Sequence, residues 1–181
     1  MSYRAAPEGT ASRLTTPLEA LRDSESRFRT TFDLAPVGMA HVALTGDWLA
    51  VNRRLAAILG YTRDELLGLR LDALVHEDDA LAVAAAARQL LAGAVESVAL
   101  ETRYRRRDGG TTWTQLTRAL LRDRRTRAPL YFLAVIEDIS ARRAAEQALR
   151  AREAELRAVL DHSPDIMARF VAQKLSEAWG K

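Results

Sequence analysis

Few side chains in this sequence could do chemistry, and their types restrict what that chemistry is. The 181 residues contain no cysteine, which excludes disulfides, thiolate nucleophiles, cysteine-ligated metals and a covalent adduct between a thiol and a flavin. The three histidines, His41, His76 and His162, do not form a spaced metal-binding motif. No glycine-rich nucleotide loop is present, and the Asp-Gly-Gly at 108–110 is typical of a hairpin turn. We therefore expect no thiol chemistry and no metal site.

The charge pattern argues against a nucleic-acid partner. The formal net charge of +3 comes from 27 basic and 24 acidic residues spread along the chain. The densest basic clusters, 103–110 and 122–127, lie beside predicted turns and do not form the long basic stripe that a phosphate backbone requires. No apolar run reaches the ~18–20 residues of a membrane span, and the polar N-terminus lacks a secretory core. A cytoplasmic location without direct membrane contact is expected.

The hydrophobic pattern predicts an α+β fold. Two short strands are predicted around Gly46–Asp47, and three longer antiparallel strands follow from about residue 97. Between them, helical periodicity predicts several helices, of which one begins with a capping box at Thr62 and Glu65. The longest of these helices covers about 78–93. Two strands, then several helices, then three antiparallel strands predict one sheet with the helices packed on one of its faces.

Two amphipathic helices are predicted to flank this unit, at 14–34 and 141–162. Each carries a narrow apolar stripe that suits packing against a second helix, so we expect a homodimer through short coiled coils. The residues expected at the dimer interface are Leu14, Leu18, Leu21, Phe28, Leu149 and Leu156.

An internal repeat predicts the organisation of the ends of the chain. The segment "DLAPVGMA" at 33–40 returns as "DHSPDIMA" at 161–168, and the match extends over 20–40 and 148–168. We interpret 163–170 as the start of a truncated second domain. Residues 1–13 are predicted to be a disordered leader. The segment 171–181, which holds both lysines, is predicted to be a non-native tail.

Five stretches in order resemble the PAS family of sensory domains with its C-terminal PAC region. They are the "F…F…AP.GMA" entry, "VNRRLAAILGYTRDELLG" (51–68), "VHEDD" (75–79), "YRRRDGGTTWTQLTRALLRD" (104–123) and "EDIS" (137–140). The resemblance places a single complete domain at 35–140. It implies a PAS fold with a five-stranded antiparallel sheet and a cleft under helices. It also implies a non-enzymatic sensory domain of a bacterial signalling protein, whose exit helix leads to an output domain such as a histidine kinase or cyclic-dinucleotide enzyme.

The resemblance also implies where a ligand and a signal act. Residues expected in the cleft are Met39, His41, Asn52, Leu90, Trp113, Gln115 and Leu133. The cofactor is left unknown, because the chain lacks the thiol of flavin–cysteine sensors and has no histidine at 78–93 for haem. Open alternatives are a non-covalent FAD or haem in a redox or gas sensor, a colourless small ligand, and an unliganded relay module. Asp138 and Ser140, at the junction of the last strand and the exit helix, are expected to relay the signal and to cap that helix.

Overall fold

The computed structural model describes residues 16–179, with the side chains of residues 16, 18–158, 173 and 174. Within this range the helices are α1 (Pro17–Leu34), α2 (Arg53–Leu59), α3 (Arg63–Leu67), α4 (Leu71–Leu74), α5 (Glu77–Ala92) and α6 (Ser140–Trp179). The strands are β1 (Gly38–Ala43), β2 (Trp48–Val51), β3 (Ser97–Arg105), β4 (Thr111–Arg122) and β5 (Pro129–Asp138).

The five strands form one antiparallel sheet in the order β2-β1-β5-β4-β3. The last strand, β5, therefore lies in the centre, beside the first strand. Helices α2 to α5 cover one face of the sheet, with α2 on β1, α3 on β2 and α5 on β3 and β4. The predicted α+β fold with a five-stranded antiparallel sheet and helices on one face is confirmed.

The two faces of the sheet differ in what covers them. The inner face, under α2 to α5, carries the buried residues Ala40, Val42, Leu116, Phe132, Ala134 and Ile136. The outer face carries the residues that alternate with them along each strand. On this outer face, the end of α1 packs against β1 and the first turn of α6 packs against β4. The domain thus has a helical cradle on one side and the two flanking helices on the other.

Local signals in the sequence explain where the cradle helices begin and end. The capping box at Thr62 and Glu65 is present, with Thr62 accepting a hydrogen bond from the Glu65 backbone. His76 caps α5, because its Nδ1 accepts a hydrogen bond from the Asp78 backbone at 3.3 Å. At the other end of α5, Gly93 has a φ of 71° and takes the left-handed conformation that ends helices.

The flanking helices are both present, with bounds that differ from the prediction. Thr16 caps α1, and the predicted Leu14 and the leader 1–13 lie outside the described residues. Helix α6 continues past the predicted end at 162 and runs through 163–170 to Trp179. Because this segment is helical, its backbone groups are hydrogen-bonded within α6. The second domain at 163–170 and the non-native tail remain predictions.

Candidate functional site

The inner face and the cradle enclose a cavity of about 160 Å³. Its floor is formed by β1, β4 and β5, and its wall by α4, α5 and the β1–β2 turn. Most of its lining is aliphatic or aromatic. The lining residues are Val42, Ala43, Leu44, Thr45, Gly46, Arg70, Leu71, Asp72, Val75, Ala80, Val83, Ala84, Ala87, Arg118 and Phe132.

Arg118 is the polar group of the cavity floor. It lies on the inner face of β4 and is only 3% exposed. Its guanidinium lies over the ring of Phe132, with 5.1 Å between the guanidinium carbon and the ring centroid. No described group accepts a hydrogen bond from its buried Nε or Nη2. Burial lowers the pKa of Arg118, but a guanidinium keeps its proton at neutral pH, so the cavity contains a positive charge.

The charges at the mouth of the cavity are paired. Arg70 donates from Nε to Asp72 at 3.1 Å and from Nη2 at 3.0 Å, and it lies 3.7 Å from a carboxylate oxygen of Asp47. The hydrogen bond from Arg70 lowers the pKa of Asp72. The contrast with Arg118 is direct: one arginine has its counter-ions, while the deeper one has none among the described residues.

Tyr104 is a second buried polar group beneath the cradle. It lies on the inner face of β3, is fully buried, and its hydroxyl has no hydrogen-bond partner among the described groups. Burial raises the pKa of Tyr104 to about 12, with the charge of Arg118 acting in the opposite direction. Tyr104 therefore stays protonated. It does not line the cavity and cannot neutralise Arg118.

Five of the seven predicted cleft residues lie on the wrong face of the sheet. Met39, His41, Trp113, Gln115 and Leu133 are half-buried and alternate with the fully buried inner-face residues of their strands. The register confirms this placement, because His41 lies opposite Leu133 across the β1–β5 pair. Side chains alternate along a strand, so an assignment that is wrong by one residue moves a whole strand's candidates to the other face. The prediction that these five line the cleft is corrected.

The remaining two predicted cleft residues are on the cradle side but do not line the cavity. Leu90 is buried in the core at the end of α5. Asn52 is fully buried and works as a structural clamp. Its Oδ1 accepts from the backbones of Leu55 and Met39, each at 2.9 Å, and its Nδ2 donates to the carbonyls of Phe32 and Val37, each at 2.9 Å.

His41 belongs to an aromatic cluster on the outer face. Its ring lies 5.6 Å from that of Phe32, 5.9 Å from that of Phe28 and 4.8 Å from that of Tyr131, measured between centroids. Partial burial lowers the pKa of His41, so the imidazole is neutral at pH 7. This cluster attaches the end of α1 to the sheet.

The predicted relay residues lie together at the junction of β5 and α6. Asp138 accepts a hydrogen bond from the Ser140 backbone at 2.9 Å through Oδ1. Ser140 Oγ accepts from the backbone of Trp113 at 3.3 Å and lies 3.2 Å from Thr112 Oγ1. Burial alone would raise the pKa of Asp138, but the hydrogen bonds from Ser140 and Thr112 and the charge of Arg106 hold it below its usual value. The start of α6 is thereby attached to β4, the strand that carries Arg118.

A line of charged and aromatic contacts joins the cavity helix α5 to α6. Arg103 on β3 donates to Asp79 in the first turn of α5, with Nη2 at 2.8 Å and Nε at 3.0 Å. The same guanidinium lies 5.1 Å from the ring centroid of Trp113. Arg143 of α6 lies on Trp113 at 3.8 Å and forms an ion pair with Glu101 of β3. Trp113 thus contacts both arginines.

Neither Arg118 nor this line of contacts was identified from the sequence. Arg118 stands two residues from Leu116 and two from Leu120, so period-2 alternation alone would have placed it on the buried face. The line of contacts joins residues on four elements. The β3–β4 hairpin places Arg103 opposite Trp113, but only the packing of α5 and α6 against these strands brings Asp79 and Arg143 to them, and a single sequence does not specify that packing.

The cavity does not fit the cofactors considered from the sequence. Its volume of about 160 Å³ is close to that of an engineered cavity, about 150 Å³, that holds benzene, and well below the ~300–1,000 Å³ typical of larger ligand pockets. Its lining contains no histidine, cysteine, methionine or tyrosine that could ligate haem iron. Among the described residues no cluster of three potential metal ligands occurs. A flavin or haem would need a different arrangement of the cradle.

Five of the six residues predicted at a dimer interface have described side chains, and all five lie on the surface. On α1, Leu18, Leu21 and Phe28 are each more than half exposed, and on α6 Leu149 and Leu156 are 60% and 58% exposed.

Among the described residues, no helix combines the length and apolar character that a bilayer crossing demands.

Comparison with known proteins agrees with this architecture. Residues 26–139 match the family model described as PAS, PAS fold. The probable diguanylate cyclase DgcE of Escherichia coli (strain K12) is 35% identical over 127 residues, which are 70% of this chain but 11% of that protein. The chain therefore spans only a small part of this relative.

Two solved structures are also similar. The PAS domain of an HTR-like protein from Haloarcula marismortui has a TM-score of 0.57 at 26% identity, covering 67% of this chain and 97% of that one. A domain of a sensory box sensor histidine kinase/response regulator from Geobacter sulfurreducens has a TM-score of 0.54 at 26% identity, covering 65% and 96%. With a family match over more than half of its length, this chain belongs to the PAS family of sensory domains.

Proposed function

We propose that this PAS domain senses a small molecule in its inner cavity and relays occupancy of the cavity to helix α6. The observation that carries the proposal is the line of contacts from Asp79 through Arg103 and Trp113 to Arg143. It joins a helix that lines the cavity to the helix that leaves the domain. PAS domains are sensory and not catalytic, so the output is a change in the position or stability of α6.

Both ends of α5 are attached to the sheet, which supports coupling. At its start, Asp79 binds Arg103 of β3. At its end, Arg122 of β4 donates to the carbonyls of Leu90 at 3.1 Å and Leu91 at 2.8 Å. A ligand that displaces α5 therefore acts on β3 and β4. These are the strands that hold Trp113, Thr112 and Glu101 against the first turn of α6.

We further propose that α6 acts in a homodimer and leads to an output domain of a larger bacterial, cytoplasmic signalling protein. The diguanylate cyclase relative and the similar histidine kinase domain support an output of one of these two classes. The exposed Leu149 and Leu156, seven residues apart, support a helical interface. Replacing both with Glu is expected to shift sedimentation from dimer to monomer. An unchanged dimer would move the interface to the exposed leucines of α1.

The relay is tested by a substitution whose larger side chain fills the cavity in place of a ligand. Ala87 lines the cavity from α5, so Ala87→Leu introduces about three methylene-sized groups into it. Ala82 is exposed on the same helix and does not line the cavity, which makes Ala82→Leu the matched control. Hydrogen exchange of the backbone amides of 139–146 is the measurement.

We expect Ala87→Leu to change the exchange rates of these amides by about fivefold or more, the lower end of typical coupling between sites. Ala82→Leu should leave them unchanged. Adding Arg103→Met to Ala87→Leu should remove most of the effect, because the contact between α5 and Trp113 is then lost. Equal exchange in Ala87→Leu and Ala82→Leu would contradict the relay.

A further inference from the structure

The cavity holds a buried positive charge without a counter-ion. Arg118 is nearly inaccessible; the ring of Phe132 lies against its guanidinium, and the nearby Tyr104 interacts with it electrostatically but stays protonated. None of the ion pairs within the described residues includes it. Removing a charge from water without pairing it is costly, so a buried cation with free donors at a cavity is a site for an anion.

The geometry of the free donors favours a carboxylate. Nε and Nη2 lie on the same edge of a guanidinium, where they form the parallel pair of donors that binds both oxygens of a carboxylate. Both of these atoms in Arg118 are buried and without a partner among the described groups. Phe132 lies against the guanidinium with its ring and offers no hydrogen-bond acceptor, so both donors stay unpaired among the described groups.

The rest of the lining favours a hydrocarbon body. Val42, Val75, Val83, Ala84 and Ala87 contribute apolar surface, and the paired Arg70 and Asp72 stand at the mouth. The volume of about 160 Å³ accepts a ligand of roughly six to eight non-hydrogen atoms, the range that includes benzene. A hydrated inorganic anion would lose its water against these walls. A second carboxylate would meet either apolar groups or the mouth, where Arg70 already has Asp72 and Asp47 as counter-ions.

We propose that the cavity binds a small monocarboxylic acid, with its carboxylate paired with the guanidinium of Arg118 and its hydrocarbon chain against α5. The proposal rests on the proposed function, since this acid is the signal that the domain senses. It names a chemical class that includes short-chain fatty acids and small aromatic acids. It also assigns to Arg118 the role of ligand anchor.

The test is isothermal titration calorimetry of hexanoate into the protein. Hexanamide, which has the same shape without the charge, and inorganic phosphate, which has charge without the hydrocarbon, are the ligand controls. We expect hexanoate to bind with a dissociation constant below about 1 mM, a modest affinity for its size, and hexanamide and phosphate to bind at least about tenfold more weakly.

Variants at Arg118 identify the anchor. Arg118→Met keeps the volume and removes the charge, and should weaken hexanoate binding by about 10- to 100-fold, the range for a charged hydrogen bond. Arg118→Lys keeps the charge and loses the paired donors, so its affinity for hexanoate should lie between those of the parent and Arg118→Met. Arg124→Met, an exposed arginine in the β4–β5 turn, is the matched control and should bind as the parent does. Circular dichroism establishes that each variant is folded.

Each outcome distinguishes this proposal from the relay. Absence of hexanoate binding, equal binding of hexanamide, or unchanged affinity in folded Arg118→Met would overturn the ligand class, while an effect of Ala87→Leu on α6 would still support the relay. Conversely, Arg118-dependent binding together with an unaffected α6 in Ala87→Leu would establish the ligand and remove the relay.

Discussion

The unpaired charge of Arg118 leads to an unusual prediction about stability. In the free protein, Arg118→Met should raise the free energy of unfolding, although most core substitutions lower it. Replacing buried ion pairs by apolar residues of similar size is often neutral or stabilises by about 1–4 kcal/mol, and here no partner charge offsets the burial. The lost contact with the Phe132 ring costs up to about 2 kcal/mol. The net expectation is a gain of about 1–2 kcal/mol.

Urea denaturation, followed by circular dichroism in a buffer without carboxylates, measures this change directly. A gain of that size corresponds to a rise in Tm of roughly 2–8 °C for a chain of this length. Arg124→Met, on the surface, should stay within about 0.5 kcal/mol of the parent. A loss of more than about 1 kcal/mol in Arg118→Met would mean that the guanidinium is well solvated or paired in the free protein, and the reasoning about an uncompensated charge would fail.

Two further predictions concern the clamps of the fold. Asn52→Ala removes a helix cap and leaves the carbonyls of Phe32 and Val37 without their donor. Urea denaturation should therefore show a free energy of unfolding lower by about 3–5 kcal/mol. A decrease below about 1 kcal/mol would contradict the structural role of Asn52. The hydrogen bond from Arg103 lowers the pKa of Asp79, so the stability from this pair is present above about pH 4 and is lost as pH falls through the folded-state pKa. Asp79→Asn should therefore flatten the decline in the free energy of unfolding between about pH 4 and pH 2, and an unchanged slope would refute this assignment.

The elements of the fold were predictable because local signals specify them. The capping box at Thr62 and Glu65 and the caps at Asn52 and His76 are encoded within a few residues of where they act. Alternation after residue 97 likewise predicted three strands, and the same number is present. Their antiparallel order then depends on turns that the sequence marks clearly, such as Asp108-Gly109-Gly110.

The site was less predictable, because it depends on which face of the sheet the helices cover. Large side chains such as His41 and Trp113 were assigned to the cleft, yet they pack under α1 and α6 on the outer face. Apolar strand residues can pack either under the cradle helices or under the two flanking helices, and the sequence does not specify which face of the sheet each set of helices covers. Alternation along β4 places Arg118 on the buried face, but only the structure shows that this arginine has no counter-ion among the described residues and that it lines a cavity.

The most direct test of the central claim joins ligand binding and relay in one sample. Hydrogen exchange of 139–146 should be measured with and without hexanoate at a concentration at which calorimetry shows the site to be filled, in the parent protein and in Arg118→Met. We predict a change of about fivefold or more in the parent and none in the variant. A filled cavity with unchanged exchange at the start of α6 would contradict the account.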